Sequence, residues 1–265
     1  MPETLSNVRA SVVTRARRLM QHKFRLEDQA FLVEGPQACR EAARFAVVER
    51  LFVTDDAAAR YDDIVAEVER KGGQVVAATQ DVVSSLSDSV APAGMVAVVR
   101  ALTHSVASVI RPNARLVVAL SHARDPGNAG AVIRVADAAG ADGVLVSVES
   151  VDATNPKVVR TTAGSLFHLP VVQEVDLDQA IAAARAAGLQ ILAADGAGVP
   201  LATVDLSRPT MWVFGNEAWG LAAHTAALAD QVVALPIYGK AESLNLATAA
   251  AVLLYASAQA QRSAE

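Results

Sequence analysis

The chain has 265 residues, 52% of them apolar, and a formal net charge of −5 at pH 7. This length accommodates one large domain or two smaller ones with ample core, and the apolar content excludes a chain that is disordered throughout. The single cysteine excludes an internal disulfide, and the five scattered histidines lack the spacing of metal ligands. No apolar run reaches the roughly 18 residues of a membrane span, and the N-terminus lacks a signal-peptide pattern. We therefore expect a cytoplasmic protein that binds neither membrane nor metal.

The net charge conceals a basic N-terminal segment. Residues 1–25 contain six basic side chains and one acidic side chain, whereas residues 114–265 contain nine basic and 14 acidic ones. A basic segment on an acidic chain can bind nucleic-acid phosphates locally, and a solvated helix face explains the same pattern. The candidates for phosphate contact in this segment are Arg15, Arg17 and Arg18.

The first half of the chain predicts a small α/β unit over residues 1–102. Its predicted elements are a basic amphipathic helix at 8–20, strands at 31–33, 51–53, 75–77 and 95–99, and helices at 36–44 and 57–71, the last stopped by two glycines. Residues 103–113, which contain serine, proline and asparagine, predict a linker.

Residues 114–265 alternate regularly between predicted strands and helices. The strands are predicted at 116–120, 143–147, 189–193, 210–214 and 232–235, and the helices at 128–139, 156–163, 178–187, 221–229 and 244–260. Strands that are apolar on both faces predict a parallel sheet covered by helices.

Two predicted strand-to-helix connections carry polar residues. After Leu120, a Pro-Gly turn leads to a helix that is predicted to begin near Asn128. Asn128 can serve as the N-cap or face a ligand. Helical side chains lean toward the N-terminus, so Arg134 can pass over Gly130 to this loop, although a surface ion pair explains it equally well.

The next helix has a clear start signal. Asn155 and Pro156 form a good N-cap and first-position pair. Lys157 and Arg160 then share one helix face, which suits a phosphate or a pair of solvated charges.

Two further loops follow predicted strands. Phe214-Gly-Asn-Glu217 places polar groups at a sheet edge, where α/β proteins bind ligands. In the loop after Leu235, Ser243 is predicted to cap the long final helix. Asn245 stands in its first turn among apolar neighbours, where its amide can serve a ligand or the local backbone.

A competing motif is Asp195-Gly-Ala-Gly198, which follows a strand and offers the first two glycines of a dinucleotide fingerprint. That motif favours a nucleotide-dependent oxidoreductase. Leu201 replaces the third glycine, which counts against this interpretation.

Taken in order, three motifs resemble those of the SpoU/TrmH family, RNA ribose 2′-O-methyltransferases of the SPOUT superfamily. They are Asn128-x-Gly-x-x-x-Arg134, Phe214-Gly-Asn-Glu-x-x-Gly-Leu221, and Leu235-Pro-Ile followed by Ser243-Leu-Asn245. The run from Asn155 to Pro170 is also typical of that family, and the resemblance covers residues 114–260. Ala218-Trp219 departs from it, because small residues such as glycine are common there.

This resemblance implies a fold, a cofactor and a set of site residues. It implies a parallel sheet with a deep trefoil knot, S-adenosylmethionine as methyl donor, and a homodimer with the active site formed across it. By motif match, the cofactor-binding positions are Gly215, Ile237 and Leu244, and the catalytic positions are Asn128, Arg134, Glu217, Ser243 and Asn245.

The N-terminal half is similar to the L30e-like substrate-binding domain of many members, on the basis of Phe31-Leu-Val-Glu-Gly35 and the alternation of elements. We therefore expect an RNA-binding domain at 1–102 and a methyltransferase domain at 114–265. The expected substrate is structured RNA, with 23S ribosomal RNA favoured over transfer RNA. A non-catalytic RNA-binding protein and a base-directed SPOUT enzyme are the alternatives. The expected RNA contacts are Arg15, Arg17, Arg18, Lys157 and Arg160.

Overall fold

The computed structural model describes residues 4–263, which form two compact units. The first unit comprises the described residues up to Leu102 together with Thr154–His168, and the second comprises Thr103–Ala153 and the residues from Leu169 onward. The predicted domains at 1–102 and 114–265 also include residues 1–3 and 264–265, which lie outside the described residues. The middle segment 154–168 thus folds with the first unit, although the motif resemblance assigned it to the second half.

The elements alternate between helix and strand through most of the chain. Up to residue 102 they are α1 (Ser11–Arg17), α2 (His22–Asp28), β1 (Ala30–Glu34), α3 (Pro36–Phe45), β2 (Val48–Val53), α4 (Asp55–Arg60), α5 (Asp62–Arg70), β3 (Gln74–Ala77), α6 (Gln80–Ser84) and β4 (Met95–Arg100). After it they are α7 (Val106–Val109), β5 (Leu116–Leu120), α8 (Pro126–Ala139), β6 (Gly143–Ser147), α9 (Pro156–Thr162), β7 (Val171–Val175), α10 (Leu177–Ala186), β8 (Gln190–Pro200), β9 (Thr210–Phe214), α11 (Ala223–Ala227), β10 (Gln231–Ala234) and α12 (Leu246–Ser263). Short 3₁₀ turns lie at Arg18–Met20, Ser165–Phe167 and Leu201–Thr203.

The first unit is built on a four-stranded sheet in the order β1-β4-β2-β3. Strands β2 and β3 are parallel, whereas β4 runs antiparallel to both β1 and β2. The predicted helix at 57–71 is wrong in one respect: it is two helices, α4 and α5, separated at Tyr61, whose backbone is not helical (φ −125°, ψ 47°). Helix α2 was not predicted from the sequence.

Segment 154–168 packs within the first unit through polar and aromatic contacts. Arg160 pairs with Glu34, at 3.4 Å, and with Asp88. The rings of Phe31 and Phe167 stack with centroids 6.2 Å apart. The side chains of Arg160 and Phe167 therefore have their partners on elements from the first hundred residues.

The second unit contains a parallel six-stranded sheet in the order β10-β8-β9-β5-β6-β7. The central strands β5, β6 and β9 are buried at every residue, which explains their continuous apolar sequences. The predicted parallel sheet is confirmed, but edge strand β7 was missed, since Gln173 and Glu174 interrupt its apolar pattern. Because all six strands are parallel, their carboxyl ends lie along one edge.

Helix α12 is fixed to the sheet by buried polar contacts. Trp212 on β9 is fully buried and donates its indole N–H to the Ser257 hydroxyl at 2.8 Å. One turn further on, Gln261 donates to the carbonyls of Arg115 and Arg208, at 3.0 and 2.9 Å. These contacts hold the C-terminal part of α12, while the start of the helix borders the site described below. None of the helices within residues 4–263 has both the length and the apolar character needed to cross a bilayer.

Candidate active site

A cavity of about 650 Å³ lies at the carboxyl edge of the sheet in the second unit. Its lining comes from the loops after β9 and β10, from Asn128 in the first turn of α8, from residues 194–196 in the middle of β8, and from the start of α12. Seven of the eight predicted catalytic and cofactor-binding residues line this cavity, namely Asn128, Gly215, Glu217, Ile237, Ser243, Leu244 and Asn245. The eighth, Arg134, is not among the lining residues.

A chain of hydrogen bonds joins three of these side chains. Asn245 Nδ2 donates to Asn128 Oδ1 at 2.8 Å, and Asn128 Nδ2 donates to Glu217 Oε1 at 3.3 Å. This set is possible because Asn128 is not the N-cap of α8, which was one of the two roles that the sequence left open. Helix α8 begins two residues earlier, at Pro126, and Asp125 caps it by accepting the Asn128 backbone N–H at 2.7 Å. The Asn128 amide is therefore available to the site.

Glu217 connects the loop after β9 to the loop after β5. Its two carboxylate oxygens accept the backbone N–H groups of Arg124 and Asp125, at 3.3 and 3.4 Å. Glu217 therefore holds the loop after β5, and none of its hydrogen bonds to the described residues involves Arg134. Arg134 is exposed and makes no hydrogen bond or ion pair with any residue in the range 4–263. Its guanidinium is thus uncommitted.

The loop after β9 is a closed turn on a glycine. Asn216 and Gly220 exchange backbone hydrogen bonds of 2.8 and 2.9 Å, and Gly220 has a left-handed φ of +72°. A Cβ on Gly215 would lie 2.4 Å from the Gly220 carbonyl carbon and 2.6 Å from the Leu221 nitrogen. Gly215 is therefore required for the chain to fold back on itself, quite apart from any approach by a ligand.

Asn216 is a structural residue that sequence reasoning did not single out. It is 6% exposed, its Nδ2 donates to the His122 carbonyl at 2.7 Å, and its Oδ1 accepts the Ala218 N–H at 2.8 Å. These bonds satisfy a buried amide and join the loops after β5 and β9 a second time. An amide directly after a buried strand was the available signal in the sequence.

The loop after β10 ends in a cap that differs from the predicted one. Helix α12 begins at Leu246, and Asn245 Oδ1 accepts the backbone N–H groups of Ala247 and Thr248, at 2.9 and 3.3 Å. Asn245 therefore caps the helix with its oxygen and contacts Asn128 with its nitrogen. Ser243, which the sequence predicted as the cap, lines the cavity instead.

The motif Asp195-Gly-Ala-Gly198 does not form a dinucleotide-binding turn. It lies inside strand β8, which continues to Pro200 and pairs with β10. A Cβ on Gly198 would lie 2.5 Å from the Val232 backbone, so this glycine permits close strand packing. The strand-turn-helix context of the fingerprint is missing, which contradicts the oxidoreductase alternative.

The five predicted RNA contacts, all in the first unit, fall into two groups. The Nε–H of Arg18 donates to the Asp28 carboxylate at 2.8 Å, and the hydrogen bond that Arg160 donates to the Asp88 carboxylate raises the pKa of Arg160. The charges of these two arginines are therefore balanced by carboxylates. The second group has no ion pair with the described residues and consists of Arg15, Arg17 and Lys157.

A buried arginine connects the basic segment to α9. Arg25 is 5% exposed and donates to the carbonyls of Leu19 and Met20, at 3.0 and 2.9 Å, and to the Thr154 hydroxyl at 3.2 Å. The adjacent Asn155 caps α9 as predicted, since its Oδ1 accepts the Lys157 N–H at 2.9 Å. The first turn of α9 is thereby held close to the basic segment.

Comparison with known proteins identifies the protein family. Residues 115–255 match the SpoU rRNA methylase family, and residues 11–97 match the MRM3-like substrate binding domain. The family match covers more than half of the chain, and the motifs that carry it line one cavity. The chain belongs to the SpoU rRNA methylase family.

Particular relatives are similar over different lengths. A 23S rRNA (guanosine(2553)-2′-O)-methyltransferase, RlmP, from Bacillus subtilis is 32% identical over 241 residues, which are 90% of this chain and 92% of the relative. A 23S rRNA (uridine(2479)-2′-O)-methyltransferase from Streptomyces viridochromogenes is 39% identical over 49% of this chain and 47% of its own length. The crystal structure of an AdoMet-bound rRNA methyltransferase from Sinorhizobium meliloti superposes with a TM-score of 0.86 at 31% identity, covering 97% of both chains. This likeness confirms the predicted α/β fold class.

The packing of Gly215 generates a stability prediction. Gly215→Ala is expected to lower the free energy of unfolding by about 1–3 kcal/mol, because the new methyl group meets backbone that has no room to move. Urea unfolding followed by circular dichroism measures the change. Gly196→Ala is the matched control in the same cavity, because its Cβ would have no atom within 4 Å. Equal losses for the two variants would contradict the packing argument.

Proposed function

We propose that this protein transfers a methyl group from S-adenosylmethionine to a ribose 2′-hydroxyl of 23S ribosomal RNA in the cytoplasm. The observation that carries the proposal is the hydrogen-bonded set of Asn245, Asn128 and Glu217 on the wall of a ligand-sized cavity. The full-length similarity to RlmP supports the RNA class. In this proposal the second unit carries out the chemistry, and the first unit binds the RNA.

The cavity suits the proposed cofactor. Its volume of about 650 Å³ lies within the usual range for small-molecule sites. Apolar side chains such as Ile237, Leu244 and Leu253 provide a wall for an adenine ring, and the carboxylates of Asp195 and Glu242 suit a cationic ligand. Backbone groups at Gly215 and in the loop 235–245 would supply the polar contacts. The bound AdoMet in the S. meliloti structure supports this assignment.

Within the proposed reaction, the protein's main task is to orient the ribose. When bound, S-adenosylmethionine supplies a sulfonium-activated methyl group for in-line displacement. Asn128 and Asn245 would hold the ribose hydroxyl in line with it, with Glu217 fixing the Asn128 amide, and proximity of this kind supplies much of the rate. Ser243 on the same wall adds a hydroxyl within the cavity.

Arg134 is assigned to the RNA phosphate. Its guanidinium remains protonated at any ordinary pH, which disqualifies it as a base. It is exposed and uncommitted among the described residues, and it follows Asn128 by six positions on α8. A bidentate clamp on the phosphate beside the methylated ribose fits these properties. That phosphate or a water then accepts the proton from the hydroxyl.

The base of the methylated nucleotide differs between relatives. The B. subtilis relative acts on a guanosine and the Streptomyces relative on a uridine of the same RNA. Because both names specify 23S rRNA, that substrate is favoured over transfer RNA. Mapping of 2′-O-methyl positions in ribosomal and transfer RNA from a deletion strain tests the choice directly.

The Arg134 assignment generates an activity prediction. Arg134→Ala is expected to lower kcat/KM for RNA by roughly 10- to 100-fold, because a charge-assisted hydrogen bond contributes about 1.5–3 kcal/mol. Arg134→Lys should retain intermediate activity, since it keeps the charge and loses the fork. Both variants should bind S-adenosylmethionine normally by calorimetry.

The control for the Arg134 variants is Arg60→Ala, which removes an exposed arginine from the first unit. Undiminished activity of both single variants, Arg134→Lys and Arg134→Ala, would refute the phosphate clamp. Failure of the unmodified protein to bind S-adenosylmethionine would instead favour a non-catalytic RNA-binding protein.

The uncommitted cations of the first unit generate a binding prediction. Arg15→Glu with Arg17→Glu is expected to weaken RNA binding and to flatten its salt dependence, because each lost phosphate contact removes about 0.7–0.9 from the slope. Cofactor affinity should stay unchanged. The matched control reverses two other arginines of this unit, Arg50 and Arg60. Equal effects of the two double variants on RNA binding would argue against a defined basic surface.

We also propose that the chain acts as a homodimer with a trefoil knot in the second unit, as the family resemblance implies. The supporting observation is a group of exposed apolar side chains on α12 and in the loop before it, including Val252, Tyr255, Tyr238 and Leu244. Apolar side chains clustered at an exposed helix face mark an association surface. This surface adjoins the cavity, which Leu244 also lines.

The proposed dimer generates a hydrodynamic prediction. Val252→Glu is expected to shift the sedimentation of the protein from dimer toward monomer, because it places a charge in an apolar contact. Val90→Glu, at a fully exposed position of the first unit, is the matched control. A wild-type protein that sediments as a monomer at micromolar concentration would refute the proposal.

A further inference from the structure

Trp219 stands beside the proposed ribose site, yet neither the cavity nor the proposed mechanism accounts for it. The side chain is 56% exposed. It follows Glu217 by two residues, at a position where the family resemblance leads one to expect a small residue. An exposed indole beside a functional site is a candidate for ligand contact, because tryptophan side chains are on average largely buried.

A cation from a second loop covers one face of this indole. The guanidinium carbon of Arg124 lies 5.2 Å from the centre of the Trp219 ring, within the range of a cation–π contact. The Arg124 backbone N–H also donates to the Glu217 carboxylate at 3.3 Å. The two side chains are thus brought together by the same bonds that join the loops after β5 and β9.

The indole is carried on a fixed turn. The Ala218 N–H, immediately before Trp219, donates to Asn216 Oδ1, and Gly220, immediately after it, is bonded to the Asn216 backbone in both directions. The turn is therefore closed on both sides of Trp219. Because the backbone that carries the indole is already fixed, little backbone entropy is lost when a flat ligand binds.

A stacked pair of an indole and a guanidinium is a surface for nucleobases. Unpaired RNA bases stack on aromatic rings and on arginine planes, and the arginine charge also attracts the phosphates. Resting on the proposed function, we propose that Trp219 and Arg124 form a stacking platform for an unpaired RNA base at or next to the methylated nucleotide.

The cofactor is a less suitable occupant of this surface. Gly215, Asn216, Glu217 and Gly220 line the cavity, but neither Trp219 nor Arg124 does. The platform thus lies outside the space assigned to S-adenosylmethionine. A second copy of the chain is the remaining competitor, and the measurements below separate it from RNA.

The first measurement uses the two tryptophans of the chain. Trp212 is fully buried and bonded to Ser257, so quenching by an external ligand reports on Trp219. Titration with single-stranded oligoadenylate should quench the fluorescence to saturation, whereas inorganic polyphosphate of equal charge should not. Trp219→Phe should abolish the quenching. Equal quenching by polyphosphate would refute stacking.

The second measurement separates stacking from a structural role. Trp219→Ala is expected to raise the dissociation constant for labelled oligoadenylate by roughly 5- to 100-fold, and to raise KM for a 23S rRNA transcript in parallel, with kcat changed less. Trp219→Phe should recover most of the affinity, because it restores a ring. Arg124→Ala should also weaken oligoadenylate binding, because it removes the guanidinium of the platform. It keeps the bond to Glu217, which comes from the Arg124 backbone. Arg60→Ala is the control for this variant.

The outcomes distinguish the platform from the reaction on which it rests. Methylation of 23S rRNA by the wild type, with unchanged KM for Trp219→Ala, refutes the platform and leaves the function standing. Absence of methyl transfer by the wild type refutes the function, while base-dependent quenching would still support the platform. Weaker S-adenosylmethionine binding by Trp219→Ala, or altered sedimentation, would assign the indole to the cofactor or to a second copy and overturn the proposal.

Discussion

The contact between Gly215 and the peptide joining Gly220 to Leu221 is the constraint on which the site depends. Only a glycine allows the chain to leave the buried end of β9 and fold back on itself within a few residues. The turn that results buries the Asn216 amide, directs Glu217 toward the loop after β5, and leaves Trp219 on the outside. Backbone packing thereby sets three different environments within four residues: the Asn216 side chain is buried, Glu217 lines the cavity, and Trp219 is exposed.

A second constraint is that some polar side chains at the site must cap helices while others must remain available to the cavity. Asp125 caps α8 and so leaves the Asn128 amide to the site. Asn245 combines both tasks, because its oxygen caps α12 while its nitrogen bonds to Asn128. The positions of both asparagines are therefore set by the starts of helices that are themselves packed on the parallel sheet. Capping, which stabilises the helices, also orients the site.

Much of the second unit could be predicted from sequence, because parallel strands buried on both faces have continuous apolar runs. Edge strand β7 was missed since its polar residues break that pattern. The motifs predicted which residues form the site, but they did not predict the hydrogen-bond partners of those residues. Glu217, for example, binds Asn128 and the loop after β5 rather than Arg134. Side-chain partners depend on which loops meet in space. The position of a helix cap is also uncertain from sequence when several residues near the start can serve, as Asp125 and Asn128, three positions apart, can here.

The placement of residues 154–168 with the first unit has a consequence for how the chain acquires its structure. The polypeptide passes from one unit to the other at residues 102–103, 153–154 and 168–169, so neither unit is a continuous stretch. During synthesis, the side chains of Glu34 and Glu41 have their partners Arg160 and His168 only after more than a hundred further residues have been added. Folding of the first unit therefore cannot be completed until strands β5 and β6 of the second have already been made.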